Sequence, residues 1–227
     1  MSVLSASLGG TRRLALSFGQ YGLLFGPIRR AVVEPAAATH DELLRLLICY
    51  LGKRLWETGL IGGRCGNLSA RSRQRDAILI TRRGVHKGRL SVTDVLRVPL
   101  DPGPGETRAA SVEFPTHRAC YRARADVGAV IHTHAPALTA LGIRRLELAD
   151  WLPEAAETVG PLARVPAYPS GSPLLAEAVG AAVADGARLL LLERHGALAV
   201  GRDLDDAYDR MELAELSAKA VLLAAGP

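Results

Sequence analysis

The spacing of apolar residues predicts two long helices, one near residue 41 and one at the end of the chain. From Asp41 onward, leucine and isoleucine recur every three or four residues, which places them on one helical face. We expect this first helix to run to about Thr58, with the Asp41 side chain capping its first turn. The same spacing over residues 203–225 predicts a long closing helix.

Shorter apolar segments, bounded by glycine, proline or charged residues, predict strands and two further helices. The strands are expected at residues 77–81, 96–100, 127–131, 163–168 and 189–192. The helices are expected at residues 114–124 and 173–185. The sequence shows no internal repeat, and its length suits a single domain over residues 39–227. Residues 1–38 are expected to form a flexible N-terminal arm or extension.

Three histidines follow directly on two of these apolar segments. His132 and His134 come after residues 127–131, and His195 comes after residues 189–192. Side chains of a strand alternate between its two faces, so His132 and His134 are expected to project the same way. Imidazole suits zinc and related divalent metals, and three protein ligands leave one position open for a substrate. The pattern predicts a catalytic metal site, and a chance pair of strand-end histidines is the alternative.

Five segments of the sequence, two of which contain these histidines, occur in a defined order. They are residues 66–71 (GNLSAR), 80–84 (ITRRG), 111–117 (SVEFPTH), 121–134 (YRARADVGAVIHTH) and 194–201 (RHGALAVG). In their order and spacing, from about residue 41 to the end, they resemble the class II aldolase/adducin family. The L-fuculose-1-phosphate aldolase branch is the most similar in its chemistry.

The resemblance implies an α/β fold with three α/β/α layers and a mostly antiparallel central sheet. It also implies a homotetramer with active sites at subunit interfaces. The family's metal-binding histidines correspond to His132, His134 and His195, and its acid/base glutamate corresponds to Glu113. The implied cofactor is a divalent metal, with zinc expected and manganese, iron or cobalt as alternatives.

Glu113 allows two interpretations from the sequence alone. A carboxylate beside a dication can remove a proton from the carbon next to a carbonyl while the metal holds the enediolate. Alternatively, Glu113 is a helix-start glutamate that the helix dipole favours. The resemblance favours the acid/base role. The ribulose-5-phosphate 4-epimerase branch has aspartate at this position, so a lyase is preferred over an epimerase.

The predicted anion-binding residues depart in part from the family pattern. Asn67, Gly84 and Ser111 correspond to phosphate-contacting positions of the family. Val112 replaces a serine and has no hydroxyl to donate, whereas Arg83 replaces a threonine and offers a charged fork. Because a guanidinium pairs with either phosphate or carboxylate, the sequence does not decide which of the two the substrate carries. A solvated loop charge is the alternative interpretation of Arg83.

The family's interface tyrosine has no counterpart in residues 149–157, where Trp151 is the only aromatic residue.

The three histidines, Glu113 and the family resemblance together lead us to expect a metal-dependent aldolase that cleaves a small hydroxy-keto, sugar-like substrate, with or without a phosphate. Decarboxylation or dehydration of an oxo acid or sugar acid in the same family is one alternative. An adducin-like binding module without catalysis is the other.

Charge and cysteine content limit the possible partners and compartment. Residues 1–33 contain four arginines and no acid, which leaves +1 of the formal net charge of +5 for the rest of the chain. With no basic stripe interleaved with aromatics, nucleic acid is not expected as a partner. A membrane is not expected as a partner either, because residues 14–28 are too short and too rich in glycine to span one.

The three cysteines form no Cys-x-x-Cys pair and favour a reducing, cytoplasmic location. Cys65 is interpreted as a small buried residue.

Overall fold

The computed structural model describes residues 39–226, so the predicted arm of residues 1–38 lies outside the described part of the chain. The two long predicted helices are present as α1 (His40–Glu57) and α7 (Leu204–Ala224). The other helices are α2 (Phe114–Ala123), α3 (Pro136–Arg144), α4 (Leu148–Trp151), α5 (Pro153–Val159) and α6 (Pro173–Ala184). The strands are β1 (Asn67–Arg71), β2 (Ala77–Thr81), β3 (Val95–Pro99), β4 (Ala129–Thr133), β5 (Leu162–Val165), β6 (Leu189–Leu192) and β7 (Gly196–Gly201).

Within residues 39–226, the seven strands form one sheet in the order β3-β2-β1-β4-β7-β6-β5. Neighbouring strands from β3 through to β6 are antiparallel. The last pair, β5 and β6, is parallel, so the sheet is mixed. The α/β fold is as expected, and the parallel pair of β5 and β6 makes the sheet mixed in detail. Helix α6 lies between β5 and β6 in the chain and carries it back across the sheet, which is the connection that parallel neighbours require.

Helices cover both faces of the sheet, which gives three layers. Leu79 and Ile131 belong to an apolar cluster that also contains side chains of α1, α3 and α7. Ile80 and Val130, their neighbours in the same strands, belong to a second cluster with side chains of α2 and α6. Because adjacent side chains of a strand face opposite ways, a strand buried on both faces is an almost continuous apolar segment. This explains why β2, β4 and β6 were predictable from their sequence.

The start of α1 differs from the sequence prediction. Thr39 is the N-cap residue, and its side-chain oxygen accepts a hydrogen bond from the Glu42 amide at 3.3 Å. The Glu42 carboxylate in turn accepts the Thr39 amide at 2.6 Å, which completes a capping box. The prediction that Asp41 caps the helix is therefore wrong. Asp41 lies in the first turn and forms an ion pair with Arg97 at 3.4 Å.

Strand β1, which the sequence analysis did not predict, begins at Asn67. Asn67 pairs with His132 of β4. The residue before it, Gly66, has φ of +70°, and a Cβ there would lie 2.8 Å from both the His132 carbonyl oxygen and the Ile61 side chain. Glycine is needed at this position because only a residue without a side chain allows so close an approach. The Asn67 side chain is thereby held beside the end of β4.

Strand β5 is shorter than the predicted segment of residues 163–168, because it ends at Val165. The next residue is Pro166, which has no amide hydrogen and cannot continue the ladder. Among the helices of residues 39–226, none is both long enough and apolar enough to cross a membrane.

Candidate metal and catalytic site

The three predicted histidines come together where β4 ends and β7 begins. His132 lies in β4 opposite Leu198 of β7, His134 follows the last residue of β4, and His195 lies in the turn between β6 and β7. The ring centroid of His132 is 5.1 Å from that of His134 and 4.7 Å from that of His195. The centroids of His134 and His195 are 5.0 Å apart. One ring nitrogen from each residue lies within 4.8 Å of the others, so the structure assembles the predicted histidine cluster.

A tight turn between β6 and β7 places His195 over the end of β4. Arg194 has φ of 57°, a left-handed conformation that costs a residue other than glycine on the order of 1–3 kcal/mol. On the other side of His195, a Cβ on Gly196 would collide with the Thr133 carbonyl oxygen. The strained arginine and the close-approach glycine together bring the third imidazole to the first two.

The orientation of His132 shows which of its nitrogens is free to coordinate a cation. Its Nδ1 lies 2.9 Å from the Ala197 carbonyl oxygen. A carbonyl oxygen only accepts, so Nδ1 carries the hydrogen and Nε2 carries the lone pair of the neutral ring. This Nε2 is buried and has no hydrogen-bond partner among residues 39–226. A buried lone pair beside two further imidazoles suits a divalent cation, so the residues fit the metal that the family resemblance implies.

Glu113 directs its carboxylate at the histidines. Its Oε2 lies 3.3 Å from Nε2 of His132, and its Oε1 lies 3.4 Å from Nε2 of His195. Glu113 is the N-cap residue of α2, but its side chain makes no capping hydrogen bond to that helix. The helix-start interpretation therefore does not explain where the side chain points. Glu113 is only 3% exposed, so its charge must be stabilised by the groups around it.

Two hydrogen-bond donors hold the Glu113 carboxylate. Asn67 Nδ2 donates to Oε2 at 3.0 Å, and the Ser170 hydroxyl donates to Oε1 at 2.7 Å. Burial acts to raise the pKa of Glu113, but the positive charge that His132 carries when protonated and these two hydrogen bonds outweigh it and leave the pKa below its usual value. Burial also lowers the pKa of His132 to about 4. At neutral pH the site therefore combines an anionic carboxylate with a neutral imidazole.

The sequence analysis missed Ser170 as a site residue. Ser170 precedes Gly171, which has φ of +71° and would bring a Cβ within 2.5 Å of the Val112 carbonyl oxygen. This glycine lets the turn before α6 lie directly against the residue that precedes Glu113. The Ser-Gly pair does signal a turn in the sequence, but nothing local shows which carboxylate the serine contacts.

The histidines and Glu113 lie in a cleft of about 230 Å³. The four residues predicted to hold an anion, Asn67, Arg83, Gly84 and Ser111, all line this cleft. The Ser111 hydroxyl oxygen accepts the Glu113 amide at 3.3 Å, so its own hydrogen remains free to donate. Arg64, Arg82 and Lys87 add positive charge to the same walls.

Lys87 is a second residue that the sequence analysis missed. Its side chain is buried, and its Nζ donates to the carbonyl oxygens of Arg64 at 2.9 Å and Val85 at 2.8 Å. Lys87 thus ties together the two loops that form one wall of the cleft. Burial lowers the pKa of Lys87 from its usual value. Cys65, on the same wall, is exposed, so its interpretation as a buried residue is wrong.

A larger hollow of about 570 Å³ lies between α4, α5 and the start of β5. Its lining contains two carboxylates, Glu147 and Glu157, and no histidine, cysteine, lysine or arginine. The histidine cluster and the positive charge converge on the smaller cleft, which we identify as the candidate site.

Comparison with known proteins is consistent with this geometry. The family model "Class II Aldolase and Adducin N-terminal domain" matches residues 47–222. An L-fuculose phosphate aldolase from Methanocaldococcus jannaschii is 32% identical over 183 residues, which is 81% of this chain and 96% of the relative. A 3-oxo-tetronate 4-phosphate decarboxylase from Haemophilus influenzae is 32% identical over 79% of this chain and 87% of its own length.

Solved structures show the same fold. The L-fuculose-1-phosphate aldolase from Thermus thermophilus superposes with a TM-score of 0.69 at 34% identity, over 81% of this chain and 97% of that chain. The superposition therefore covers most of both chains. With most of its length matched in sequence and in fold, the chain belongs to the class II aldolase/adducin family.

Proposed function

We propose that this protein is a divalent-metal-dependent lyase that cleaves a small hydroxy-keto, sugar-like substrate by a retro-aldol reaction. The observation that carries the proposal is the buried Glu113 carboxylate, 3.3 and 3.4 Å from the Nε2 atoms of His132 and His195. Such a carboxylate is placed to move a proton at a carbon held next to the three imidazoles. An adducin-like binding module would have no use for this arrangement.

His132, His134 and His195 would hold the metal, for which zinc is the first candidate and manganese, iron or cobalt are alternatives. When bound, the metal would supply positive charge at the substrate's carbonyl oxygen. Glu113 would act as the acid/base residue. Asn67 and Ser170 keep its carboxylate anionic and fixed in orientation, so that it is ready to accept a proton at neutral pH.

The substrate's anionic group is assigned to the wall formed by Arg83, Gly84 and Ser111, with Asn67 at its base. Asn67 uses one of its two Nδ2 hydrogens on Glu113 and retains the other. The Ser111 hydroxyl hydrogen and the exposed Arg83 guanidinium are also available. These donors suit a phosphate, and the guanidinium would equally hold a carboxylate.

Decarboxylation of an oxo acid is the second candidate function, and dehydration of a sugar acid would use the same groups. The observation that favours decarboxylation is the concentration of arginine at the cleft, where Arg64 and Arg82 accompany Arg83. A relative with 32% identity is itself named as a decarboxylase. Either reaction would use Glu113 and the histidine cluster, so the two candidates differ in the substrate that the arginines select.

We also propose a cytoplasmic homotetramer built from a domain of residues 39–227 that follows the arm of residues 1–38. Large apolar side chains that a monomer would leave in water support an oligomer. Ile143 on α3 is 64% exposed, Trp151 on α4 is 43% exposed and Leu216 on α7 is 57% exposed. Residues 149–157 contain no tyrosine, so another group must accept the hydroxyl proton that the substrate loses as the aldehyde forms.

Proton exchange in deuterated water tests the proposed reaction. A retro-aldol enzyme that has bound the ketone product alone should exchange one hydrogen of its hydroxymethyl carbon, because that is the proton Glu113 moves. We expect nuclear magnetic resonance to show this exchange with a small hydroxyketone or its phosphate, and to show none with Glu113→Gln. Release of carbon dioxide from an oxo acid, without exchange of the ketone, would instead establish the decarboxylase.

A further inference from the structure

A chain of buried polar side chains runs from Glu113 into the interior, away from the cleft. Asn67 Nδ2 donates to Glu113 Oε2 at 3.0 Å, and the other amide atom, Asn67 Oδ1, pairs with Nε2 of His117. Nδ1 of His117 lies 2.6 Å from the Ser69 hydroxyl, which lies 2.7 Å from the Tyr121 hydroxyl. Four side chains from β1 and α2, together with Glu113 just before α2, thus form one continuous series of hydrogen bonds.

The Glu113 carboxylate, at one end of this series, fixes the direction of every hydrogen bond in it. An ionised carboxylate only accepts, so the NH₂ group of Asn67 must face Glu113 and its Oδ1 must face His117. Oδ1 also only accepts, so His117 carries its hydrogen on Nε2 and has a lone pair on Nδ1. That lone pair requires the Ser69 hydroxyl hydrogen, and the Ser69 oxygen is left to accept from Tyr121. All four hydrogen bonds therefore point toward Glu113.

Burial keeps the side chains of this series away from water. Ser69 and His117 are fully buried, Tyr121 is 2% exposed and Asn67 is 5% exposed. Within residues 39–226, no carboxylate is hydrogen-bonded to the His117 ring, and burial lowers the pKa of His117 to about 3. The ring is therefore neutral, as the direction of the hydrogen bonds requires.

We infer that Ser69, His117 and Tyr121 are positioning residues that act on Glu113 through Asn67. The Tyr121 hydroxyl donates to the Ser69 oxygen and so helps to keep the Ser69 hydrogen on Nδ1 of His117, which stabilises the Nε2–H form of the ring. That form holds Asn67 Oδ1 and prevents the amide from turning over. A turned amide would present its oxygen to the Glu113 carboxylate and repel it. The role in turnover rests on the proposed function, whereas the direction of the hydrogen bonds does not.

The direction is tested first by nitrogen-15 magnetic resonance on the purified full chain labelled at histidine. Long-range coupling between ring hydrogens and ring nitrogens distinguishes the two neutral forms and the protonated ring. The His117 signal is assigned by its loss in His117→Gln. We expect the Nε2–H form at neutral pH. Observation of the Nδ1–H form or of a protonated ring would overturn the inference, whatever reaction the enzyme performs.

The role in turnover is tested with Tyr121→Phe and Ser69→Ala, each of which removes one oxygen atom. We expect kcat to fall about 10–100-fold, as is usual when an outer hydrogen-bond partner of an active-site group is lost. KM and metal content should stay unchanged, because neither residue lines the cleft. A general loss of folding is separated from this effect by thermal unfolding of each variant.

Thr116→Val is the matched control. Thr116 is the buried neighbour of His117 on α2, and its hydroxyl has no hydrogen-bond partner among the described residues. Removing that oxygen should leave kcat at the wild-type value. If Tyr121→Phe and Ser69→Ala behave like Thr116→Val, the positioning role is refuted. Absence of lyase turnover in the wild type would count against the proposed function, and the resonance experiment would still decide the direction of the hydrogen bonds.

Discussion

Replacing Glu113 by glutamine is expected to lower turnover by about 10²–10⁴-fold while leaving the metal content unchanged, as for the loss of a general acid/base group. Glutamine has the shape of glutamate but cannot accept a proton. The three imidazoles are untouched by this change, so the metal should stay bound. The amide oxygen could still accept from Asn67, but the amide NH₂ would then face the Ser170 hydroxyl, which would have to accept where it now donates.

Steady-state kinetics and metal analysis of the purified variant measure both parts of this prediction. Ser170→Ala is the companion variant, since it removes one donor to Glu113 and leaves the carboxylate in place. Its loss of turnover should be clearly smaller than that of Glu113→Gln. Turnover close to the wild-type value in Glu113→Gln would show that another group moves the proton.

Replacing Glu215 by leucine is expected to destabilise the fold on the order of 3 kcal/mol, because each buried amide left without an acceptor costs about 1–3 kcal/mol. Glu215 lies on α7 and is fully buried. Its two carboxylate oxygens accept the backbone amides of Ala137 at 3.1 Å and Leu138 at 2.9 Å. These amides belong to the first turn of α3, which has no side-chain cap of its own.

Urea unfolding at fixed protein concentration measures this loss of stability. Lys219→Met is the control, because Lys219 contacts Glu215 only through an ion pair of 3.7 Å and its side chain is 47% exposed. Removing an exposed partner should change the stability by less than about 1 kcal/mol. Since α3 begins two residues after His134, Glu215→Leu should also weaken metal retention. Equal stability of the two variants would refute the capping role.

The sequence predicted the elements whose stability depends on local pattern. The sequence showed the apolar segments of β4 and β6 and the periodic spacing of α1 and α7. It also showed the histidines at or just after the ends of two strands. Strand β1 was not predicted, because residues 67–71 (NLSAR) contain neither β-branched nor aromatic residues. Its strand conformation comes from pairing with β2 on one side and β4 on the other.

The residues of the candidate site also fall into two groups, those that the sequence predicted and those that it could not. Glu113 and the three histidines could be proposed because the chemistry they perform restricts the residue types and their spacing. Ser170, Lys87 and the Asn67–His117–Ser69–Tyr121 series could not be assigned, because each depends on a partner far away in sequence. Ser170 contacts Glu113 across 57 positions, and His117 contacts Ser69 across 48. Only the folded sheet brings such residues together.

Metal content per chain, compared between the wild type and His132→Ala, tests the central claim most directly. His132 is the most buried of the three histidines, and its Nε2 has no hydrogen-bond partner in residues 39–226. We predict one divalent ion per chain in the wild type, as isolated or after reconstitution, and its loss in the variant with the fold retained. An absence of metal from the wild type after reconstitution, or equal metal in both proteins, would contradict the assignment of this cleft as a metal-dependent lyase site.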